Sequence, residues 1–250
     1  HLSDRRQRQM CIRDSTMTTY VRIASFIFFT LLLSAVVGCI SQPIPLHRYV
    51  NPFIGTGGHG HTYPGATAPF GMVQLSPDSR LTGWDGCGGY HFSDSVIYGF
   101  SHTHLQGTGV SDYGDILFAP CTQFNDEAAL WSDRYASRFS HEDEQAHAGY
   151  YQVYLDDQKI NVELTATERV GVHRYRMDEP DTLTLIIDMQ HRDDLVNYSI
   201  YPLGDSLLVG HRISDNWARE QHVYFAARFD QPFHCLLYTS DAADDLRGGG

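Results

Sequence analysis

AGYYQVYLDDQKINVELTAT, residues 148–167, decides the fold. In its second half Ile160, Val162 and Leu164 alternate with polar partners, the period of two expected of a strand with one buried face. Its first half, AGYYQVYL (148–155), is rich in the aromatic and β-branched residues that strands favour, and Asp156-Asp157 marks a turn between the halves. The texture continues on both sides. WSDRYASRFS (131–140), ERVGVHRYRM (168–177), TLTLIIDM (182–189), SLLVGHRI (206–213) and HVYFAARF (222–229) read as strands, with turn signals at Glu179-Pro180 and Pro202-Leu203-Gly204-Asp205. Only NDEAALW (125–131) is predicted as helix, and it is short. There is no βαβ rhythm to support a doubly wound parallel sheet. Many strands with long connections predict an all-β fold, a large antiparallel β-sandwich.

The chain has 250 residues, 42% hydrophobic and 12% aromatic, enough for a sizeable core. Its formal net charge of −12 leaves no basic face for nucleic acid, so no nucleic-acid partner is expected.

The ends differ from the middle. Residues 1–16 and 235–250 (CLLYTSDAADDLRGGG) have the composition of translated adapter or assembly sequence and are set aside as non-native extensions, with the native chain cut near His234. Residues 17–38 read as a signal peptide: Arg22, then an apolar core from Ile23 to Val37, shorter than the roughly 20 residues of a membrane span. The core ends in VVGC, which resembles a bacterial lipobox and makes Cys39 the acylated first residue of a lipid-anchored protein. Residues 39–48 then form a tether, stiffened by Pro43 and Pro45, and 49–234 the folded domain. Within it Cys87 and Cys121 are compatible with a disulfide in an oxidising compartment, or with two buried thiols.

Residues 51–120 hold most of the glycines and five of the fourteen histidines, so any chemistry is expected there. GTGGHG (55–60) spells G-x-G-x-x-G, but a dinucleotide fingerprint needs a helix opening on it. The following HTYPGATAPFG, with Pro64 and Pro69, forbids one. No lysine follows to make a phosphate cradle. His59-Gly-His61 and His102-Thr-His104 are H-x-H pairs. In an extended chain each pair points one way and could share a metal, with Asp78, Asp94 or Asp112 as third ligand; otherwise these imidazoles simply hydrogen-bond within polar loops. GWDGCGGYHF (83–92) sets Trp84 beside Asp85 among four glycines. A sugar presents apolar faces and a hydroxyl rim, which a flat aromatic plus a carboxylate matches; the competing role for Trp84 is core filling, with Asp85 capping a turn. Ser101 beside His102 is no evidence of a nucleophile, because a serine's base must reach it across the site.

Three motifs in order, YVNPFIGTGGHGHTYPGATAPFGMVQLSPD (49–78), GWDGCGGYH (83–91) and YGFSHTHLQGTGVSDYGDI (98–116), resemble the N-terminal domain of glycoside hydrolase family 92, bacterial exo-acting α-mannosidases. The resemblance covers 49 to about 234. It implies a β-sandwich followed by a larger (α/α) barrel, with the active site between them, and a calcium-dependent, inverting reaction. The acid, the base and the calcium ligands then belong to the barrel, so no catalytic residue and no metal ligand is assigned in this chain. A tryptophan in the segment matching GWDGCGGYH implies substrate binding by Trp84, with Asp85 as companion, and places His59, His61, His102 and His104 near the domain interface. The expected protein is therefore the truncated N-terminal part of an α-mannosidase, lipid-anchored in the periplasm or at the surface of a Gram-negative cell, acting on mannose-containing glycans and inactive without its barrel. The alternatives are a stand-alone carbohydrate-binding sandwich and a metal-dependent hydrolase built on the H-x-H pairs.

Overall fold

The computed structural model describes residues 20–31, 44–122 and 135–237. Residues 20–31, within the predicted signal peptide, form a helix; among the described residues no helix is long and apolar enough to cross a membrane. Cys39 and the helix predicted at 125–131 lie outside the described residues.

The unit beginning at Leu46 is built from strands. In chain order they are β1 (Ala66–Thr67), β2 (Gln74–Asp78), β3 (Val96–Ile97), β4 (Gly99–Ser101), β5 (Leu117–Cys121), β6 (Ser137–Arg138), β7 (Glu144–His147), β8 (Tyr150–Leu155), β9 (Ile160–Ala166), β10 (Gly171–Met177), β11 (Thr184–Asp188), β12 (Asp194–Leu203), β13 (Leu207–Asp215) and β14 (Gln221–Arg228). Every pairing among them is antiparallel. One sheet runs β1-β2-β4-β5-β11, a second β10-β9-β8-β7, a third β12-β13-β14, and β3 pairs with β6.

The stretch at 148–167 folds as its pattern requires. β8 and β9 form a hairpin with Val153 opposite Val162 and Leu155 opposite Ile160, and Tyr151, Val153, Leu155, Ile160, Val162 and Leu164 are all buried. A slip of one residue in either strand would turn its three outward. At about 1.5–3 kcal/mol for each large apolar side chain, that cost fixes the register.

The five-stranded sheet is one layer. Pro77, Phe100 and Phe118 lie side by side across β2, β4 and β5 and so share a face. Half of that face meets β8 and β9 through Leu75, Phe100, Tyr151, Val153, Val162 and Leu164. The other half meets the third sheet through Phe118, Leu185, Ile187, Tyr198, Val223 and Phe225. The architecture is thus an antiparallel β-sandwich, as expected. The opposite face of the five-stranded sheet carries Asp78 and Ser101, both fully buried, and is covered by the irregular segments 79–92 and 102–115. Cys87 and Cys121 are buried as thiols and make no disulfide.

Candidate functional site

The segment after β2 returns on itself. Ser79 N and Arg80 N both donate to the Gly89 carbonyl (2.8 and 3.1 Å), and Gly89 N donates to Gly86 O (2.9 Å). This closes a loop whose tip is Trp84. The indole is 63% exposed, so it does not fill the core. Its ring lies against Gly109, where an added Cβ would stand 2.1 Å from the ring carbons. From another side His61 meets it edge-on, ring centroids 5.0 Å apart at 78°. An exposed aromatic held at two contacts is a platform rather than a swinging side chain.

Asp85 stands next to it and accepts a hydrogen bond from His59 Nδ1 at 2.8 Å. That bond holds its carboxyl below the usual carboxylate range, so it is ionised at neutral pH. His61 Nε2 is buried and has no hydrogen-bond partner. The glycine-rich segment 55–60 is tied to this loop: Gly86 N donates to Gly60 O (3.3 Å), Phe92 N to Thr56 O (2.9 Å), and His91 Nε2 bonds the Gly58 carbonyl (2.9 Å). No helix opens on Gly60; the chain passes through turns into β1.

Trp84, Asp85, His59 and His61 therefore come together across two segments. His102 and His104 go elsewhere. His104 is 1% exposed; its Nδ1 bonds Gln74 O (2.7 Å) and its Nε2 lies 3.1 Å from Ser101 Oγ and 3.5 Å from Asp78. Burial raises the Asp78 pKa, but His104 and His191 outweigh that and hold it well below the carboxylate range. Ser101 donates to Asp78 and is fully buried, so this Ser-His-Asp group is an internal bracket without access to substrate.

His102 sits between the layers against Phe118 and His173. Its Nδ1–H donates to Ile116 O (2.8 Å), leaving Nε2 to accept from His173 Nε2–H (3.0 Å), and His173 Nδ1 accepts from the Tyr175 hydroxyl (2.9 Å). These proton positions are the assignment that satisfies all three bonds at once. Burial drives the His102 pKa down to about 4 and that of His173 well below its ordinary value, so both rings are neutral. Unfolded, both would titrate near about 6.5. Between those values the unfolded chain binds more protons, so stability is lost as pH falls from about 6.5 towards 4. Asp193 opposes this: burial and Asp112 lift its pKa to about 6, which favours the folded form as pH falls through that value. The difference between wild type and His173→Gln isolates the histidine contribution. Its urea midpoint is expected to fall less steeply than that of wild type over this window; parallel curves would contradict the neutral pair.

The residues that organise the site were not singled out in the sequence. After β11 come His191, Arg192 and Asp193, and from β13 comes Arg212. Arg212 and Asp115 form a fully buried ion pair at 2.5 Å. Arg212 also donates to the carbonyls of Met189, His191 and Asp193 (2.9, 3.0 and 3.2 Å), while Asp115 accepts from Thr103 and Gln221, both at 2.6 Å. The available signal was the charged run HRDD (191–194) directly behind an apolar strand.

Among the described residues no three His, Cys, Asp or Glu side chains converge to hold a metal. The three proposed third ligands are dispersed: Asp78 faces Ser101, Asp94 faces Arg80 and Ser79, and Asp112 accepts from Tyr113 N and Ala218 N. These residues do not fit calcium, whose six to eight oxygen ligands would have to replace those donors.

A sandwich whose loops present a pinned, exposed tryptophan beside an ionised carboxylate offers a flat apolar face with a polar rim. The chain belongs to glycosyl hydrolase family 92: residues 49–245 match its N-terminal domain. It is similar to a family 92 α-mannosidase of Bacteroides thetaiotaomicron, with 38% identity and a TM-score of 0.69 over 77% of this chain and 27% of that one. A family 92 inverting mannosidase from strain VPI-5482 of the same species gives 26% identity and a TM-score of 0.62, over 74% of this chain and 25% of that one. An uncharacterized secreted glycosidase of Arthroderma benhamiae is 31% identical over 138 residues, 51% of this chain and 17% of that protein. The chain thus spans about a quarter or less of the length of these relatives.

Proposed function

We propose that this chain supplies one wall of the mannose site in an exo-acting, inverting α-mannosidase, and that Trp84, Asp85 and His59 are that wall. The observation that carries the reading is Trp84, an exposed indole pinned on Gly109 and His61 with a carboxylate at its rim. The apolar face of a pyranose stacks on such a ring while Asp85 and His59 take hydroxyl hydrogen bonds. Inversion needs a carboxylic acid to protonate the leaving oxygen and a carboxylate to activate water. In this reading both come from a following (α/α) barrel, and so do the calcium ligands. Residues 40–234 alone are then expected to hydrolyse no α-mannoside. The parent is read as a lipoprotein anchored through Cys39, in the periplasm or at the cell surface, releasing mannose from N-glycans or mannans; its similarity to a secreted glycosidase supports export.

Trp84→Ala in the barrel-containing enzyme is expected to lower kcat/KM on an α-mannoside about tenfold, the worth of one aromatic face contact. The unfolding midpoint should scarcely move, because the ring is mostly exposed. Unchanged kinetics would make Trp84 an ordinary surface residue. Turnover by residues 40–234 alone would show that the barrel is not needed.

A further inference from the structure

We propose that Arg192 is a positioning residue for Trp84, setting the spacing of the two loops between which the indole lies; the importance of that platform for sugar rests on the function proposed above. Arg192 has φ = 66°, a left-handed conformation that a non-glycine residue adopts only where its surroundings hold it. Its side chain is 2% exposed. One terminal nitrogen, Nη2, donates both to the Cys87 carbonyl (2.6 Å), in the loop that carries Trp84, and to Ser111 Oγ, in the segment that seats it at Gly109. Because both bonds leave a single atom, they fix the separation of the two loops. Nη1 reaches back to Asp78 at 3.5 Å, anchoring the guanidinium to β2.

The loops are shaped around this side chain. A Cβ at Gly89 would lie 2.7 Å from Nη1, and one at Gly114 would lie 2.5 Å from Cδ. Charge pairing alone would require only Asp78; the two loop contacts go to neutral oxygens, which points to geometry as their purpose. The second buried guanidinium, Arg212, bonds Asp115 and the carbonyls of Met189, His191 and Asp193, and touches neither Cys87 nor Ser111. Because Arg212 holds the carbonyls on both sides of Arg192 it supports the same backbone; the control for a purely structural loss is Leu155, a buried core residue of β8.

The test uses the full chain with Trp131→Phe and Trp217→Phe, so that Trp84 is the sole emitter. Arg192→Lys, Ser111→Ala and Leu155→Ala are compared in that background. An ammonium cannot reproduce the fork, and Ser111→Ala removes one arm while leaving the buried charge paired. Both are expected to lower Trp84 anisotropy, raise its quenching by acrylamide and, in the barrel-containing enzyme, lower kcat/KM on an α-mannoside about tenfold. Leu155→Ala is expected to lower the unfolding midpoint, by emptying buried core, while leaving Trp84 anisotropy at its parent value. The proposal is overturned if Arg192→Lys and Ser111→Ala leave the anisotropy unchanged, or if Leu155→Ala lowers it as much as they do. If Trp84 loosens in both but Trp84→Ala leaves kcat/KM of the barrel-containing enzyme unchanged, Arg192 keeps its role and the sugar reading of Trp84 is lost.

Discussion

Arg212→Met is expected to destabilise the folded domain by about 3–5 kcal/mol, the cost of stranding a buried partner charge. Asp115 would keep Thr103 and Gln221 but lose its counter-charge at 0% side-chain exposure. The carbonyls of Met189, His191 and Asp193 would lose a donor together. For a domain of this size each kcal/mol moves the midpoint by about 2–4 °C. A drop of about 10 °C or outright failure to fold is therefore the expected result in a thermal melt. Arg212→Lys should recover part of it, since the charge returns without the four directed bonds. A loss below about 1 kcal/mol would mean that the pair is not the brace described above.

Gly109→Ala is expected to abolish the Trp84 platform with little effect on stability. The new methyl group would stand 2.1 Å from the ring, closer than any carbon contact allows, and His61 blocks retreat on its side. The indole must leave its seat, and as it is already largely exposed the fold loses little. Glycoside binding should fall at least as far as in Trp84→Ala, about tenfold or more. The unfolding midpoint should stay within about 0.5 kcal/mol of wild type, as for surface substitutions generally. Sugar affinity retained in full would show that the ring can serve from another position.

The strands that alternate cleanly were legible. β8, β9, β10 and β11 fall within stretches read from period and turn residues, and β13 and β14 overlap theirs, overrunning by two residues and by one. β12 was not, because its register shifts between Leu195 and Asn197 and the bulge breaks the alternation; Asn197, Ser199 and Pro202 then hide what remains. β7, EQAH, has too little apolar character to announce itself. Of WSDRYASRFS only Ser137–Arg138 is strand, and residues 131–134 lie outside the described residues. Alternation also says nothing of partners. That β11 leaves β10 and pairs with β5, Leu185 against Pro120, is decided by packing between layers. In the site, Trp84 and Asp85 were visible as residue types suited to a sugar, and His59 and His61 as neighbours in a shaped loop. Their meeting was not, since His59 and Asp85 are joined by loop closure rather than by spacing. Arg192 and Arg212 were invisible for the same reason: a charged residue in a sequence reads as solvated until its acceptors are known.

The hydrogen bonds from Tyr175 through His173 and His102 to Ile116 have a direction. A carbonyl can only accept, so Ile116 fixes the proton on His102 Nδ1, which fixes His173, which in turn requires Tyr175 to donate. Neither ring can change tautomer alone. The two histidines behave as one object with a head on β10 and a tail at the entrance to β5, and a proton arriving at His102 Nε2 breaks the bond they share, because that nitrogen is its acceptor.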